Sequence, residues 1–160
     1  MVEFAMTGAM LLLSILWLLE VGLTYMTTLE LEGATNDVAR VVRTHRVADL
    51  PVPVDVKKKG EEPTSSEILA GKFRKRMCDR LVFAVDCKAN LKVVVRSADD
   101  FLGLNTAQPI PDPYADDAEI SINIGLQNQY VIVNAFFKSP LSVFGQERTI
   151  RAAAVTQNEP

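Results

Sequence analysis

From Phe4 to Leu19 the chain carries no charged residue and no proline, and from Phe4 to Met26 the only charge is Glu20. A bilayer's hydrocarbon core takes about 20 apolar residues of helix, at about 1.5 Å rise each. The stretch Phe4–Met26 is long enough to cross it. It is apolar all round rather than on one stripe, as a lipid-embedded helix is. The rest of the chain is more polar and reads as what this helix carries.

Three other readings compete. A buried core helix would be long for a chain of 160 residues. A cleaved signal peptide needs a basic start, a short apolar core and a small-residue cleavage site; here no Lys or Arg precedes Arg40, and no such site follows the apolar run. A plain membrane anchor is the serious rival. Glu3 argues beyond it, because a carboxylate at the mouth of an apolar run is costly unless it stays at the interface or meets a cation. Near a helix N-terminus it also interacts favourably with the helix dipole.

Past Met26 the pattern becomes amphipathic. Leu31, Ala34, Val38, Val41 and His45 recur at steps of three and four, between Glu30, Glu32, Asn36, Asp37, Arg40, Arg43 and Arg46. That spacing predicts one continuous helix from about Glu3 to about Arg46, on the order of 65 Å long, whose second half seeks an apolar partner. His45 reads as a packing residue on this stripe.

Asp49–Pro63 is a connector: Pro51, Pro53 and Pro63 exclude helix, and Lys57–Glu62 is a solvated charge run. Thr64 and Glu67 then form a capping-box pattern that opens a second helix running to about Leu81, with Ile68, Leu69, Phe73 and Met77 inward. Leu81–Asp86 is either a strand or a turn after that helix. Asn90–Ser97, Glu119–Gly125, Gln129–Phe137 and Arg148–Thr156 alternate as strands. Gln127-Asn128 predicts an antiparallel hairpin between the middle two. The expected fold is α+β: a long N-terminal transmembrane or assembly helix (1–26), its amphipathic continuation (27–48), a connector (49–63), and a small head (64–160) with a second helix and an antiparallel sheet of about four strands.

The formal net charge of −3 argues against a nucleic-acid partner, and the basic cluster Lys72–Arg76 is short. The two cysteines, Cys78 and Cys87, exclude a Cys-rich zinc cage. Outside the cytoplasm they would form one disulfide; in a reducing compartment they would be two buried thiols.

The opening VEFAMTGAMLLLSILWLLEVGLTY resembles the N-terminal helix of TadE-like pilins, the minor or pseudo-pilins of the tight-adherence (Tad) pilus. In that family a Val-Glu-Phe-Ala step, here Val2 to Ala5, enters the apolar helix, and a second Glu, here Glu20, often stands near its outer end. CDRLVFAVDCKANLKVVVRS is similar to the family's paired-cysteine segment, and RAAAVTQNEP to its final strand and Asn-Glu-Pro close. The resemblance thus touches the start, middle and end of the chain.

What it implies is a structural pilin, made with a basic leader that a prepilin peptidase removes. It would be held in the inner membrane with its head in the periplasm, and assembled with other pilins into an extracellular filament. Glu3 would guide docking, with Glu20 either facing headgroups or meeting a neighbour's cation, and Gly8 and Gly22 would allow close helix packing. In the family the first Glu stands fifth in the mature chain, whereas here it is third, and the sequence shows no leader. The inside–outside topology therefore rests on the resemblance.

No catalytic or phosphate-binding motif is present around His45 or the glycines. Asp112, Asp116, Asp117 and Glu119 share one loop, but their spacing matches no EF-hand, so a solvated acidic loop is expected there. No cofactor, metal or enzymatic activity is expected. The alternative function is a membrane-anchored extracytoplasmic binding domain with a ligand site in the Asp99–Asp117 loop.

Overall fold

The computed structural model describes residues 2–50, 65–82, 84, 86–106, 114, 122–139 and 148–160, with the side chains at 2–6 and 104–106 outside that set. One helix dominates it. Helix α1 runs unbroken over Val2–Arg43. It is followed by a 3-10 turn (Arg46–Asp49), α2 (Ser65–Cys78), a one-turn α3 (Cys87–Asn90), β1 (Leu91–Ala98), a short α4 (Phe101–Thr106), β2 (Tyr130–Ser139) and β3 (Arg148–Gln157). The three strands form one antiparallel sheet in the order β1-β2-β3. Helix packed on antiparallel sheet makes the fold α+β.

The core lies where the second half of α1 crosses the sheet. Leu31, Ala34, Val38 and Val41 are buried, as their spacing predicts, and so is Val42. They share one core with Leu91, Val93 and Val95 of β1, Val131, Val133, Ala135 and Phe137 of β2, and Ile150, Ala152 and Ala154 of β3, α1 lying over β3 and β2 and α2 over β1. These strand residues sit at every second position, so they share one face of the sheet. Phe73, Met77 and Leu81 close the side of this core, and Ile68 and Leu69 are half-buried beside them. Alanines at 152 and 154 leave room for the helix to lie close against β3.

Several expectations are corrected. Helix α1 stops at Arg43, not Arg46, because His45 takes a left-handed conformation with φ of 52°. Its N–H then bonds the Val42 carbonyl at 3.0 Å, and the Glu159 N–H bonds the Arg43 carbonyl at 3.1 Å. Both satisfy carbonyls that a helix end leaves open. His45 is consequently exposed and is not a packing residue. Helix α2 ends at Cys78, short of Leu81; of the two readings of Leu81–Asp86 the turn holds, residues 81, 82, 84 and 86 forming turn and irregular structure.

The sheet has three strands, not four. Within the expected strand Glu119–Gly125, residues 119–121 lie outside the described set. Ile122 makes a single parallel bridge to Val95 of β1, and 123–126 are irregular, so no hairpin with β2 is seen there. Gly125 breaks the extended run: its φ is 69°, and a Cβ there would meet the Ser97 Cβ at 2.8 Å. Thr64, most of the connector and the acidic loop Asp112–Glu119 lie largely outside the described residues.

Candidate assembly helix

The two halves of α1 have different surroundings. Met10, Leu11, Leu12, Trp17, Leu18 and Tyr25 are all more than half exposed, and the exposed apolar positions continue to Leu29. The helix is long and apolar enough to cross a membrane. An isolated apolar surface of this extent marks a face meant for lipid or for other proteins.

The hydroxyls of this region need no outside partner. Ser14 donates to the Leu11 carbonyl at 2.7 Å, Thr24 to Glu20 at 2.8 Å, Thr27 to Leu23 at 2.9 Å and Thr28 to Thr24 at 2.8 Å. Such back-bonding lets a hydroxyl sit in apolar surroundings, because the helix's own carbonyls satisfy it. A carboxylate has no equivalent route, since it can only accept and the nearby backbone N–H groups are engaged in the helix.

Glu20 is that case. Its neighbours are exposed, yet it is only 6% exposed. Both carboxylate oxygens lack a hydrogen-bond partner. It lies seven residues before the buried Thr27, which precedes Leu31, Ala34 and Val38 by helical steps, so it extends the stripe that faces the head. No lysine or arginine precedes Arg40 in the sequence, and Arg40 stands about 30 Å farther along the helix at 1.5 Å per residue. A cation for Glu20 does not come from its own stretch of helix.

The remaining sequence candidates fall as follows. Glu3 lies in the first turn of α1, with its side chain outside the described set. At Gly8 and Gly22 an added Cβ would meet nothing within 4 Å, so within the chain both positions face open space. Their close-packing role needs a second helix to act on. Cys78 and Cys87 are joined by a disulfide with a Cα–Cα separation of 5.7 Å, tying the end of α2 to α3 at the start of β1. Among the described residues no group of three His, Cys, Asp or Glu is placed to hold a metal ion.

Two constellations escaped the sequence reading. Asp37 on α1 accepts from Arg76 of α2 at 2.6 Å and pairs with Arg80 at 3.2 Å. The Arg76 hydrogen bond holds its carboxyl below the usual range despite partial burial. The i to i+39 spacing gives no local signal for this pair. At the chain's end, Asn158 is buried and its amide donates to the Ile124 and Leu126 carbonyls at 2.8 and 2.9 Å. Glu159 pairs with Arg43 at 3.1 Å. The Asn-Glu pair thus clasps β3, the 124–126 segment and the end of α1 together.

No family model matches the chain, and neither a curated protein nor a solved structure matches it. The geometry to be explained is an apolar half-helix open to its surroundings, carrying one buried carboxylate without a partner.

Proposed function

We propose that the chain is a structural, minor pilin of a Tad-type adhesive pilus, held in the inner membrane by α1 and assembled with other pilins through helix bundling. The observation that carries this reading is the pairing of an exposed apolar half-helix with an unpartnered carboxylate at Glu20. A lipid anchor is served by apolar residues alone. A helix that must find a defined register among other helices is served by a polar group that is costly until correctly met. In the isolated chain Glu20 is covered, so a neighbour that brings it a cation exchanges that cover for its own. Glu3, at the start of the same apolar run, has the corresponding role at the other end. The disulfide fits a head that faces an oxidising compartment.

The test is Glu3→Ala and Glu20→Gln in the native source, with membrane insertion and surface pili scored separately. Both variants are expected to insert normally; Glu3→Ala should abolish piliation and Glu20→Gln should reduce it. Normal pili in both would remove the assembly role and leave the alternative, an anchored extracytoplasmic binding domain.

A further inference from the structure

Glu20 has a counter-charge within reach in its own chain, outside α1. Strand β3 lies under α1, with Ile150, Ala152 and Ala154 in the shared core. Side chains at every second strand position share a face, so Arg148 stands on the α1 side as well. Its cross-strand partner Ser139 is buried there. Lys92 and Lys138, near the same end of the sheet, take the opposite face by the same alternation.

Two ties fix the level of Arg148 along the helix. At the far end, the Glu159 N–H bonds the Arg43 carbonyl and the Glu159 carboxylate pairs with the Arg43 side chain. From there β3 runs back for 10 residues, about 33 Å at 3.3 Å each. Glu20 lies about 35 Å before Arg43 on α1. At the near end, the Val82 N–H bonds Glu30 beside the Cys78–Cys87 bond. Strand β1 begins there at Leu91, which is paired with Phe137, and Phe137 is paired with Ile150. Arg148 is the next residue on that face beyond Ile150, toward Glu20. The two ties put its backbone between the level of Glu20 and about 8 Å short of it. An arginine side chain spans that gap. Glu20 is buried with both oxygens unbonded. Arg148 is exposed, and its guanidinium makes no ion pair among the described residues.

We infer that Arg148 is the in-chain counter-ion of Glu20, a latch between the head and the apolar half of α1 that closes when no neighbour meets the carboxylate. The structure shows the latch open. A guanidinium stays charged, and its fork bonds both oxygens of a carboxylate at once. Closing it relieves an unmet buried charge in a subunit waiting in the membrane. A neighbouring helix displaces Arg148 only by bringing a cation of its own, because a buried pair broken without replacement leaves a charge uncompensated. Arg148 thereby sets which neighbours Glu20 accepts. That last step rests on the pilin reading; the pair itself does not.

The experiment uses the full chain in detergent, one chain per micelle. In Arg148→Lys, a membrane-permeant carbodiimide should join the side-chain amine at 148 to Glu20 as an amide, found by mass spectrometry of the digested chain. The Lys75–Asp79 pair, at 3.2 Å, is the control within the same sample. Adding Glu20→Gln should remove the 20–148 link and keep the 75–79 link. A 75–79 link without a 20–148 link in Arg148→Lys overturns the latch. Separately, Arg148→Gln is expected to lower the thermal midpoint of the head by about 2–4 °C, and to change nothing once Glu20→Gln is present. Equal shifts in the two backgrounds also overturn it, and a retained disulfide checks folding. Normal pili in Glu20→Gln would remove the assembly role of Glu20 while leaving the cross-link intact, so the two fail separately.

Discussion

The two halves of α1 are one helix in two different settings. From Leu31 to Val42 its inward positions are buried against β2, β3 and α2. From Met10 to Leu29 its large apolar residues are exposed, although the backbone continues without a break. Helix propensity does not separate the halves; what differs is what covers them. The second half finds its apolar partner within the chain. The first half must find one outside it, in lipid or in other helices, and within it Glu20 is the one side chain whose polar atoms are buried and unpartnered among the described residues.

If the halves are served by different partners, each can be damaged without the other. Replacing Leu12 and Leu16 together by Arg places two charges in the exposed half, each costing about 2.5–3.5 kcal/mol at the centre of a membrane helix. Fractionation should show the chain lost from the membrane, while the head keeps its disulfide and its thermal transition. Joint loss of both would mean that the halves are not independent.

The converse is Phe73→Ala. Phe73 is fully buried under the second half of α1, and such truncations cost about 3–5 kcal/mol. Urea unfolding in detergent should move to lower denaturant by that amount with membrane partition unchanged. Reducing the Cys78–Cys87 bond, which joins residues 9 apart, should cost about 2–3 kcal/mol on the same measurement.

The smallest effect sits at the seam between α1 and α2. Asp37→Asn removes the charge that Arg76 and Arg80 face, and hydrogen bonds to charged groups contribute about 1.5–3 kcal/mol. Because the Arg76 hydrogen bond holds the folded carboxyl below its ordinary 3.8, its stabilisation is fully present above that value and is lost as pH falls through the folded value. The wild-type head should therefore lose stability on acidification below about pH 4 more steeply than Asp37→Asn. Equal acid sensitivity of the two would remove Asp37 from the account.

How much of this could be read beforehand follows the range of the signal. The continuous α1, its stripe from Leu31 to Val41, β1, β2, β3 and the cysteine pair were legible because each is written locally, as a run, a period or a pair. The errors came where one residue's conformation or a distant partner decides. His45 had the right spacing for the stripe, but its left-handed backbone ends the helix before it. Glu119–Gly125 alternates well enough for a strand, yet its described part bonds β1 through Ile122 and turns at Gly125. Glu20 was legible as a charge in an apolar run. Its burial was not, because an apolar run does not show which of its side chains is covered. The Asp37–Arg76 pair and the Asn158–Glu159 clasp join segments far apart in sequence and leave no periodic trace.

The central claim is that the first half of α1 is covered by other subunits of a filament. The most direct measurement is mass spectrometry of sheared surface filaments from the native source, with the chain's N-terminal peptide sequenced. The account predicts that the chain is present in the filaments with its apolar N-terminal segment retained and no basic leader ahead of it. A chain found only in the membrane fraction, with an unprocessed N-terminus, would contradict it.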